Sequence, residues 1–269
     1  MLSFKKGGII MKMPVLFVGH GSPMNAIEDN QYAKGWKKIS RELPEPKAIL
    51  AVSAHWATEG SYVNDSEDPE IIYDMYGFPR ALYEVDYPCE GAPLYAHMTQ
   101  DLVTSFVDVD NTWGIDHGTW SVLHHLFPEA NVPVFQLSVN MNAKPEELFE
   151  IGREIAALRE QGVMILGSGN VIHNLALLDW NKNDGFDYAE DFDAYIKKNI
   201  EDRQFDNVIH FERFQGAYQR CFSTPEHFYP LLYCLGAVDA HDELTIFNNS
   251  RVYGSLSMTC YLFKEDLLS

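Results

Sequence analysis

Short, continuous apolar runs alternate along the chain with longer stretches in which apolar residues recur at helical spacing. Unbroken apolar runs of this length are typical of strands that are buried on both faces. They predict strands at Val15–Val18, Ala48–Ser53, Val132–Val139 and Val163–Leu166. The late stretch YGSLSMTCYLF alternates in part between apolar and polar residues and predicts a further strand.

Helical spacing of apolar residues predicts helices over residues 32–42, 92–106, 119–127, 145–160, 188–203 and 225–235. The clearest is PEELFEIGREIAALREQG, because Pro145 lies near its start and Gly162 just past its end. Buried strands alternating with helices predict an α/β fold, a single domain with a mainly parallel central sheet covered by helices on both faces. The polar and aromatic segment 179–224 is expected to wrap the outside.

Composition supports one large domain and excludes several classes of partner. The chain has 269 residues, 46% of them hydrophobic, and no break in composition divides residues 13–269. Residues 1–12 are expected to form a loose N-terminal extension, without the apolar core of a signal peptide. A net charge of −19 repels phosphate, so neither nucleic acid nor an anionic membrane is expected as a partner. No apolar run is long enough to span a membrane.

The cysteines give no sign of a metal site or a redox pair. Cys89, Cys221, Cys234 and Cys260 are dispersed, and no two of them form a CxxC motif. Neither a thiolate zinc site nor a reactive dithiol is therefore indicated. We expect four reduced thiols in a cytoplasmic protein.

Three of the apolar runs lead into a histidine. VLFVGHG reaches His20, AILAVSAH reaches His55, and VMILGSGNVIH passes two glycines before His173. In parallel α/β sheets, binding sites form beyond the carboxyl ends of the strands. A single histidine there is ordinarily structural, but three at one edge favour a metal centre, because imidazole is the commonest neutral metal ligand.

Two further histidines lie in informative contexts. In STPEHFYPLLY, Ser223 or Thr224 can cap a helix that begins with Pro225, and Ser223 as the cap would place Glu226 at the third helical position and complete a capping box. That structural role for Glu226 favours His227 as the additional ligand, with Glu226 as the alternative. GIDHGTW places His117 in a loop before a short helix, where it has either a capping or a catalytic role.

Other histidines and acidic residues are given structural roles. His124 and His125 lie within the predicted helix SVLHHLF and are expected to pack or face solvent. The acidic stretch DAHDE, residues 239–243, is expected to form a solvated loop rather than a metal site.

Motifs in a fixed order along nearly the whole chain carry a family resemblance: GHGSP, SAHW, DHGTW, GSGNVIHNL and TPEHFYPLLYCLGA. The set resembles the class III extradiol ring-cleavage dioxygenases, and within them the DOPA extradiol dioxygenase-like subgroup. The resemblance implies that residues 13–269 form a catalytic domain with a mononuclear non-haem metal. It also implies that the protein opens the ring of a catechol, a small DOPA-like aromatic diol, with O₂.

The resemblance implies roles for particular histidines. His20 and His55 match two metal ligands, and His227 matches the third, which is a glutamate in protocatechuate-type relatives. His173 matches a catalytic base that lies close to the metal in the subgroup. We expect it to coordinate the metal in the resting protein and to take a proton when a diol binds. His117 matches a catalytic histidine that contacts substrate or oxygen.

One divalent metal per chain is expected, Fe(II) in the active enzyme and Zn(II) in the protein as isolated. Three protein ligands on one face of Fe(II) leave positions for both catechol oxygens and for O₂, whereas zinc has no redox chemistry. Two alternatives stay open: a zinc-dependent hydrolase that uses the same histidines, and a non-enzymatic metal-binding module on the same fold.

Overall fold

The computed structural model describes residues 5–6, 9–10 and 12–265. Its strands are β1 (Lys5–Lys6), β2 (Ile9–Ile10), β3 (Val15–Gly19), β4 (Ala48–Ser53), β5 (Ala57–Thr58), β6 (Ser61–Val63), β7 (Val107–Val109), β8 (Val134–Gln136), β9 (Val139–Asn140), β10 (Val163–Gly169), β11 (Asp242–Phe247), β12 (Arg251–Val252), β13 (Leu256–Ser257) and β14 (Cys260–Glu265). Its α-helices are α1 (Gln31–Ser40), α2 (Pro93–Leu102), α3 (His117–Leu126), α4 (Pro145–Ile155), α5 (Asp187–Glu201), α6 (Phe205–Ile209) and α7 (Tyr229–Ala237). Most of the predicted extension over residues 1–12 lies outside the described residues, and the extension stays a prediction.

The central sheet has the strand order β11-β14-β3-β10-β4-β8. The four strands from β3 to β8 run parallel, while β14 and β11 add an antiparallel edge. The register matters for the site: Gly19 pairs with Gly169, and Ser168 pairs with Ser53. The carboxyl ends of β3, β10 and β4 therefore stop at the same level of the sheet.

Alternate residues of each central strand face two separate hydrophobic cores. On β3, Val15 and Phe17 enter a core that also receives α2 and α4 to α7, whereas Leu16 and Val18 enter a core with α1 and α3. Helices thus cover both faces, which confirms the predicted α/β class and the mainly parallel central sheet. The segment 179–224 does more than wrap the outside, because α5 contributes Phe192 and other apolar side chains to the first core.

The predicted helix over 225–235 is divided in the structure. Residues Pro225–His227 form one 3₁₀ turn, and α7 begins only at Tyr229. In a single continuous helix the ring of Pro230 would clash with the carbonyl four residues earlier, whereas proline is accepted in the first turn of a helix. The predicted strand Val132–Val139 is also divided, because the chain leaves the sheet after β8 and β9 pairs with β5 instead.

The acidic stretch at 239–243 is not simply a solvated loop. Asp242 begins β11, is only 3% exposed, and forms a two-pronged ion pair with Arg159 at 2.7 and 2.8 Å. Such a bidentate guanidinium–carboxylate pair satisfies both buried charges. The expectation failed because the partner lies 83 positions away in the sequence, where no local pattern indicates it.

The cysteines are free thiols, as predicted from their spacing. All four are buried and none is joined to another. Burial raises the pKa of the Cys234 and Cys260 thiols to about 12, so these two side chains stay protonated and unreactive at neutral pH. Within residues 12–265, no helix combines the length and apolar character needed to cross a membrane.

Candidate metal centre

The level strand ends bring His20 and His55 together. His20 directly follows β3, and its backbone N–H donates to Gly169 O at 3.0 Å. His55 lies two residues beyond β4, after Ala54, whose N–H donates to Ser168 O at 2.9 Å. Both segments are thus attached to the end of β10. The Nε2 atoms of His20 and His55 lie 3.3 Å apart.

The turn before α7 adds His227 to this pair. A Cβ on Gly169 would lie 2.1 Å from the carbonyl oxygen of His227, so only glycine permits this close approach of the turn to β10. Asn170 N–H donates to the same oxygen at 2.8 Å. One ligand atom from each of His20, His55 and His227 lies within 4.8 Å of the other two, which is a spacing that one metal ion can bridge.

Hydrogen bonding at Nδ1 fixes how the His20 ring is protonated. His20 Nδ1 lies 2.9 Å from Ser168 Oγ, and that hydroxyl donates to Gly118 O at 2.5 Å. Because the single hydroxyl proton goes to the carbonyl, Ser168 Oγ accepts a hydrogen bond from the Nδ1–H of His20. We therefore assign the proton to Nδ1, which leaves a lone pair on His20 Nε2.

Carboxylates do the same for the other two rings. His227 Nδ1 lies 3.0 Å from Glu226 Oε1, and His55 Nδ1 lies 3.2 Å from Asp74 Oδ2. A carboxylate only accepts, so the hydrogen bond assigns the His227 proton to Nδ1, and the nearby Asp74 oxygen favours the same protonation in His55. His227 Nε2 is buried and has no hydrogen-bond partner. Three lone pairs directed into one buried space repel each other, and a divalent cation is the group that this donor set fits.

Burial keeps these ligands neutral. It lowers the pKa of His20 and His227 well below 6.5, and the neighbouring histidines lower it further. It also lowers the pKa of His55 to about 3, with a contribution from His117. Neutral imidazole is the form that binds metal, so the site needs no proton loss at pH 7.

We expect the metal-free protein to lose stability as the pH falls from 7 to 5. Burial lowers the pKa of His55 to about 3 and of His173 to about 4. Below pH 6.5 the unfolded chain binds protons at these positions that the folded chain does not bind, so acid favours unfolding. At pH 5 the cost is about 2 kcal/mol for each histidine. Urea unfolding of chelator-treated protein at pH 7 and at pH 5 measures this loss in the free energy of unfolding.

The variant His173→Phe distinguishes the contribution of the buried histidines to the pH dependence of stability from the contribution of the Asp and Glu side chains. It removes one of the two groups, so its free energy of unfolding should depend less steeply on pH than that of the parent. Equal pH dependence in parent and variant over this range would contradict the assignment of a neutral, buried His173.

His173 lies beside His227 rather than among the three facing nitrogens. The two rings stack with centroids 3.5 Å apart and planes 5° from parallel. The backbone N–H of His173 donates to Cys221 O at 2.9 Å, which fixes this position. His173 also forms a close group of potential ligand atoms with Glu226 and His227. The structure therefore places it at the edge of the centre.

His117 occupies the opposite side, and it is not a loop residue. It is the first residue of α3, whose cap is Asp116, because the Asp116 side chain accepts from Thr119 N–H. The His117 ring centroid lies 3.9 Å from that of His55 and 6.0 Å from that of His20. The structure therefore brings all five predicted histidines into one cluster.

The predicted capping box is wrong, and its acidic residue has another role. Thr224 caps the 3₁₀ turn without a side-chain hydrogen bond, whereas Ser223 Oγ contacts Asn174 Oδ1 at 3.4 Å. Glu226 turns towards the Nδ1 atom of its neighbour His227 instead. Glu226 follows Ser223 by three residues, as in a capping box, but the cap is Thr224, only two residues before it.

Sequence reasoning missed Asp74 altogether. Its Oδ2 lies 2.9 Å from His117 Nδ1 as well as 3.2 Å from His55 Nδ1. Burial alone would raise the pKa of Asp74, but contact with His117 and His55 holds it below the ordinary value, so the group is ionised. Asp74 lies in a loop with no periodic pattern, and nothing in the local sequence marks it.

Comparison with known proteins agrees with this architecture. Residues 14–263 match the family model described as the catalytic LigB subunit of aromatic ring-opening dioxygenase. The chain is 42% identical over 256 residues to the 4,5-DOPA dioxygenase extradiol of Escherichia coli K12, and the alignment covers 92% of this chain and 93% of that enzyme. It is 34% identical over 254 residues to the enzyme of the same name from Beta vulgaris, covering 92% and 95%.

A solved structure extends the match from sequence to fold. The uncharacterized protein JW3007 from Escherichia coli K12 superposes with a TM-score of 0.80 at 38% identity, over 93% of this chain and 99% of that chain. The family model covers almost all of the described residues, and the relatives are similar over nearly their whole length. These matches favour the dioxygenase over the zinc hydrolase and over the non-enzymatic binding module. The chain belongs to the LigB family and is an aromatic ring-opening dioxygenase of the extradiol type.

Proposed function

We propose that the protein opens the ring of a DOPA-like catechol with O₂, at one divalent metal held by His20, His55 and His227. The observation that carries the proposal is that ligand atoms of the three imidazoles lie within 4.8 Å of one another, with an oxygen beside Nδ1 of each ring. The substrate class rests on the relatives, which are named 4,5-DOPA dioxygenase extradiol. The net charge of −19 supports small molecules rather than nucleic acid or an anionic membrane as partners.

The identity of the metal belongs to the same proposal. His20, His55 and His227 would hold Fe(II), which would supply the redox chemistry with O₂ that the protein side chains lack. Zinc would fit the same nitrogens in the protein as isolated, but it has no redox chemistry. Buried free thiols favour a reducing compartment, so we keep the cytoplasm as the proposed location.

The remaining histidines would move and hold protons. A catechol must lose its hydroxyl protons to bind as a chelate, and a neutral imidazole is the group that accepts one. Burial lowers the pKa of His173 to about 4, so its ring is neutral at pH 7. We assign it the second catechol proton, and a place as fourth ligand before the diol arrives. His117, beside His55, would orient the substrate or oxygen.

We expect Fe(II) to support oxygen-dependent ring opening and zinc to support none. Metal-free protein is loaded anaerobically with either ion and mixed with L-DOPA and a panel of other catechols. Oxygen uptake and the absorbance of the ring-opened product are then followed together. Fe(II) protein should consume O₂ in step with product, because two oxygen atoms enter the ring-opened acid.

Two controls test whether the reaction requires O₂ and adjacent hydroxyl groups. Fe(II) protein under argon should form no product, and resorcinol, whose hydroxyls are not adjacent, should not react. Turnover by the zinc protein without oxygen would favour a hydrolase and contradict the proposal.

A further inference from the structure

The carboxylate of Asp74 contacts two histidines that have different proposed roles. Asp74 Oδ2 lies 3.2 Å from Nδ1 of His55, a proposed metal ligand. The same oxygen lies 2.9 Å from Nδ1 of His117, which is proposed to face the substrate. The other oxygen, Oδ1, accepts the backbone N–H of His117 at 2.8 Å. The Asp74 side chain is 10% exposed, so little water competes for these contacts.

Backbone hydrogen bonds hold this carboxylate in place. Ile72 N–H donates to Ile115 O at 2.9 Å, and Ile115 N–H donates to Glu70 O at 2.8 Å. These bonds attach the loop before Asp74 to the segment that leads into α3. The first turn of α3 is held in turn by Asp116, whose Oδ1 accepts from Ser53 Oγ at 2.6 Å. Asp74 and His117 therefore lie on two segments that are joined directly to each other.

One carboxylate oxygen lies beside Nδ1 of two rings and favours a proton on that nitrogen in each. A carboxylate oxygen 3.2 Å from His55 Nδ1 and 2.9 Å from His117 Nδ1 attracts an N–H and repels a lone pair, so a proton on Nδ1 is favoured at both rings. The Nε2 atom of each ring is then unprotonated. For His55 this supplies the lone pair that binds the metal. For His117 it supplies a nitrogen that accepts a hydrogen bond, or a proton, from a catechol hydroxyl. The His117 contact is short, although its N–H is not aligned with the oxygen.

We propose that Asp74 is a positioning residue that prepares His55 to bind the metal and His117 to receive a substrate hydroxyl, through one shared carboxylate oxygen. The inference rests on the proposed function, since that function gives the two histidines their roles. A consequence is that the two roles are coupled. Any change at Asp74 alters metal affinity and substrate chemistry together, whereas Ser168 contacts only His20 among the five histidines.

The first test reads the protonation of the rings directly. In zinc-loaded parent protein with ¹⁵N-labelled histidine, long-range ¹H–¹⁵N spectra should show the His117 proton on Nδ1 and the His55 Nε2 bound to metal. A proton on Nε2 of His117 in the parent protein would overturn the proposal, and this measurement needs neither turnover nor a variant.

The second test uses Asp74→Asn, whose amide offers a single acceptor oxygen and adds a donor beside two N–H groups. Its zinc affinity, measured by competition with a coloured chelator, should fall about 10- to 100-fold. Its kcat with L-DOPA at saturating Fe(II) should also fall, by about 10²-fold or more, with a smaller change in KM. In Asp74→Glu, which keeps the charge on a longer arm, both values should recover in part.

The matched control is Asp65→Asn. Asp65 Oδ2 contacts His97 Nε2 at 2.8 Å, so this variant also removes a carboxylate from a histidine, but one outside the centre. Its zinc affinity and kcat should equal those of the parent. Parent-like zinc affinity and kcat in Asp74→Asn would overturn the proposal.

The two hypotheses fail in different ways. If the Fe(II)-loaded parent oxidises no catechol, the proposed function fails, while zinc affinity and the ring spectra still decide the role of Asp74. If the parent is active and the ring spectra place the proton on His117 Nε2, the function stands and the role of Asp74 is wrong.

Discussion

His20→Ala or His55→Ala should reduce metal content from about one ion per chain to a trace and abolish oxygenation. Three nitrogens form the proposed ligand set, and a buried site cannot recruit a replacement for one that is lost. The Nε2 atoms of these two residues lie 3.3 Å apart, so both rings face the same ion position and either substitution removes a nitrogen from it. Elemental analysis after gel filtration in metal-free buffer gives the occupancy.

The control for this experiment is His97→Ala. The His97 side chain is 58% exposed and pairs with Asp65 rather than with any residue of the centre. This variant should keep its metal and its rate. Full occupancy in both His20→Ala and His55→Ala would rule out the ligand set, whatever the activity of either protein.

The second large effect is expected in His173→Phe, which should keep most of its iron, bind catechol and turn over about 10²- to 10⁴-fold more slowly. A phenyl ring preserves the face-to-face contact with His227, whose centroid lies 3.5 Å away, so the ligand should stay in place. The ring nitrogen that would accept the catechol proton is lost. Iron content, anaerobic catechol binding and kcat are measured on one preparation.

Two outcomes would change the assignment of His173. Parent-like turnover with iron bound means that another group takes the proton. A loss of metal as complete as that in His20→Ala means that His173 is an obligatory ligand, and His117 is then the next candidate for the base.

The sequence predicted the parts of the site that follow from backbone geometry. Buried strands leave continuous apolar runs, and the parallel arrangement of those runs brings their ends to one edge. His20 and His55 could be found for that reason, since each follows a strand within two residues. The sequence also favours His227 over Glu226 as a ligand, although the structure holds Glu226 at His227 Nδ1 and not in a capping box.

The acceptors behind the ligands could not be found in this way. Ser168 contacts His20 across 148 positions, and Asp74 contacts His117 across 43. Contacts of this kind depend on how strands are paired and where a loop is attached, and neither leaves a periodic trace. Serine within an apolar strand and aspartate within a loop are also common residues. The sequence therefore indicates which nitrogens meet, but not what holds each ring in its protonation state.

Because the register of β10 positions Ser168 at His20, metal binding depends on correct strand pairing and can be used to measure it. Only Ser168 in the run Gly167–Ser168–Gly169 carries a hydroxyl, and its pairing with Val18 and Ser53 places that hydroxyl at His20. A slip of β10 by one residue would turn Ser168 to the opposite face and set a glycine, with no acceptor, beside the ring. Chains trapped in that arrangement would bind the ion poorly, while an ion bound to the correct arrangement stabilises it alone. The fraction of freshly synthesised chains that retain metal would therefore report how many have paired their strands correctly.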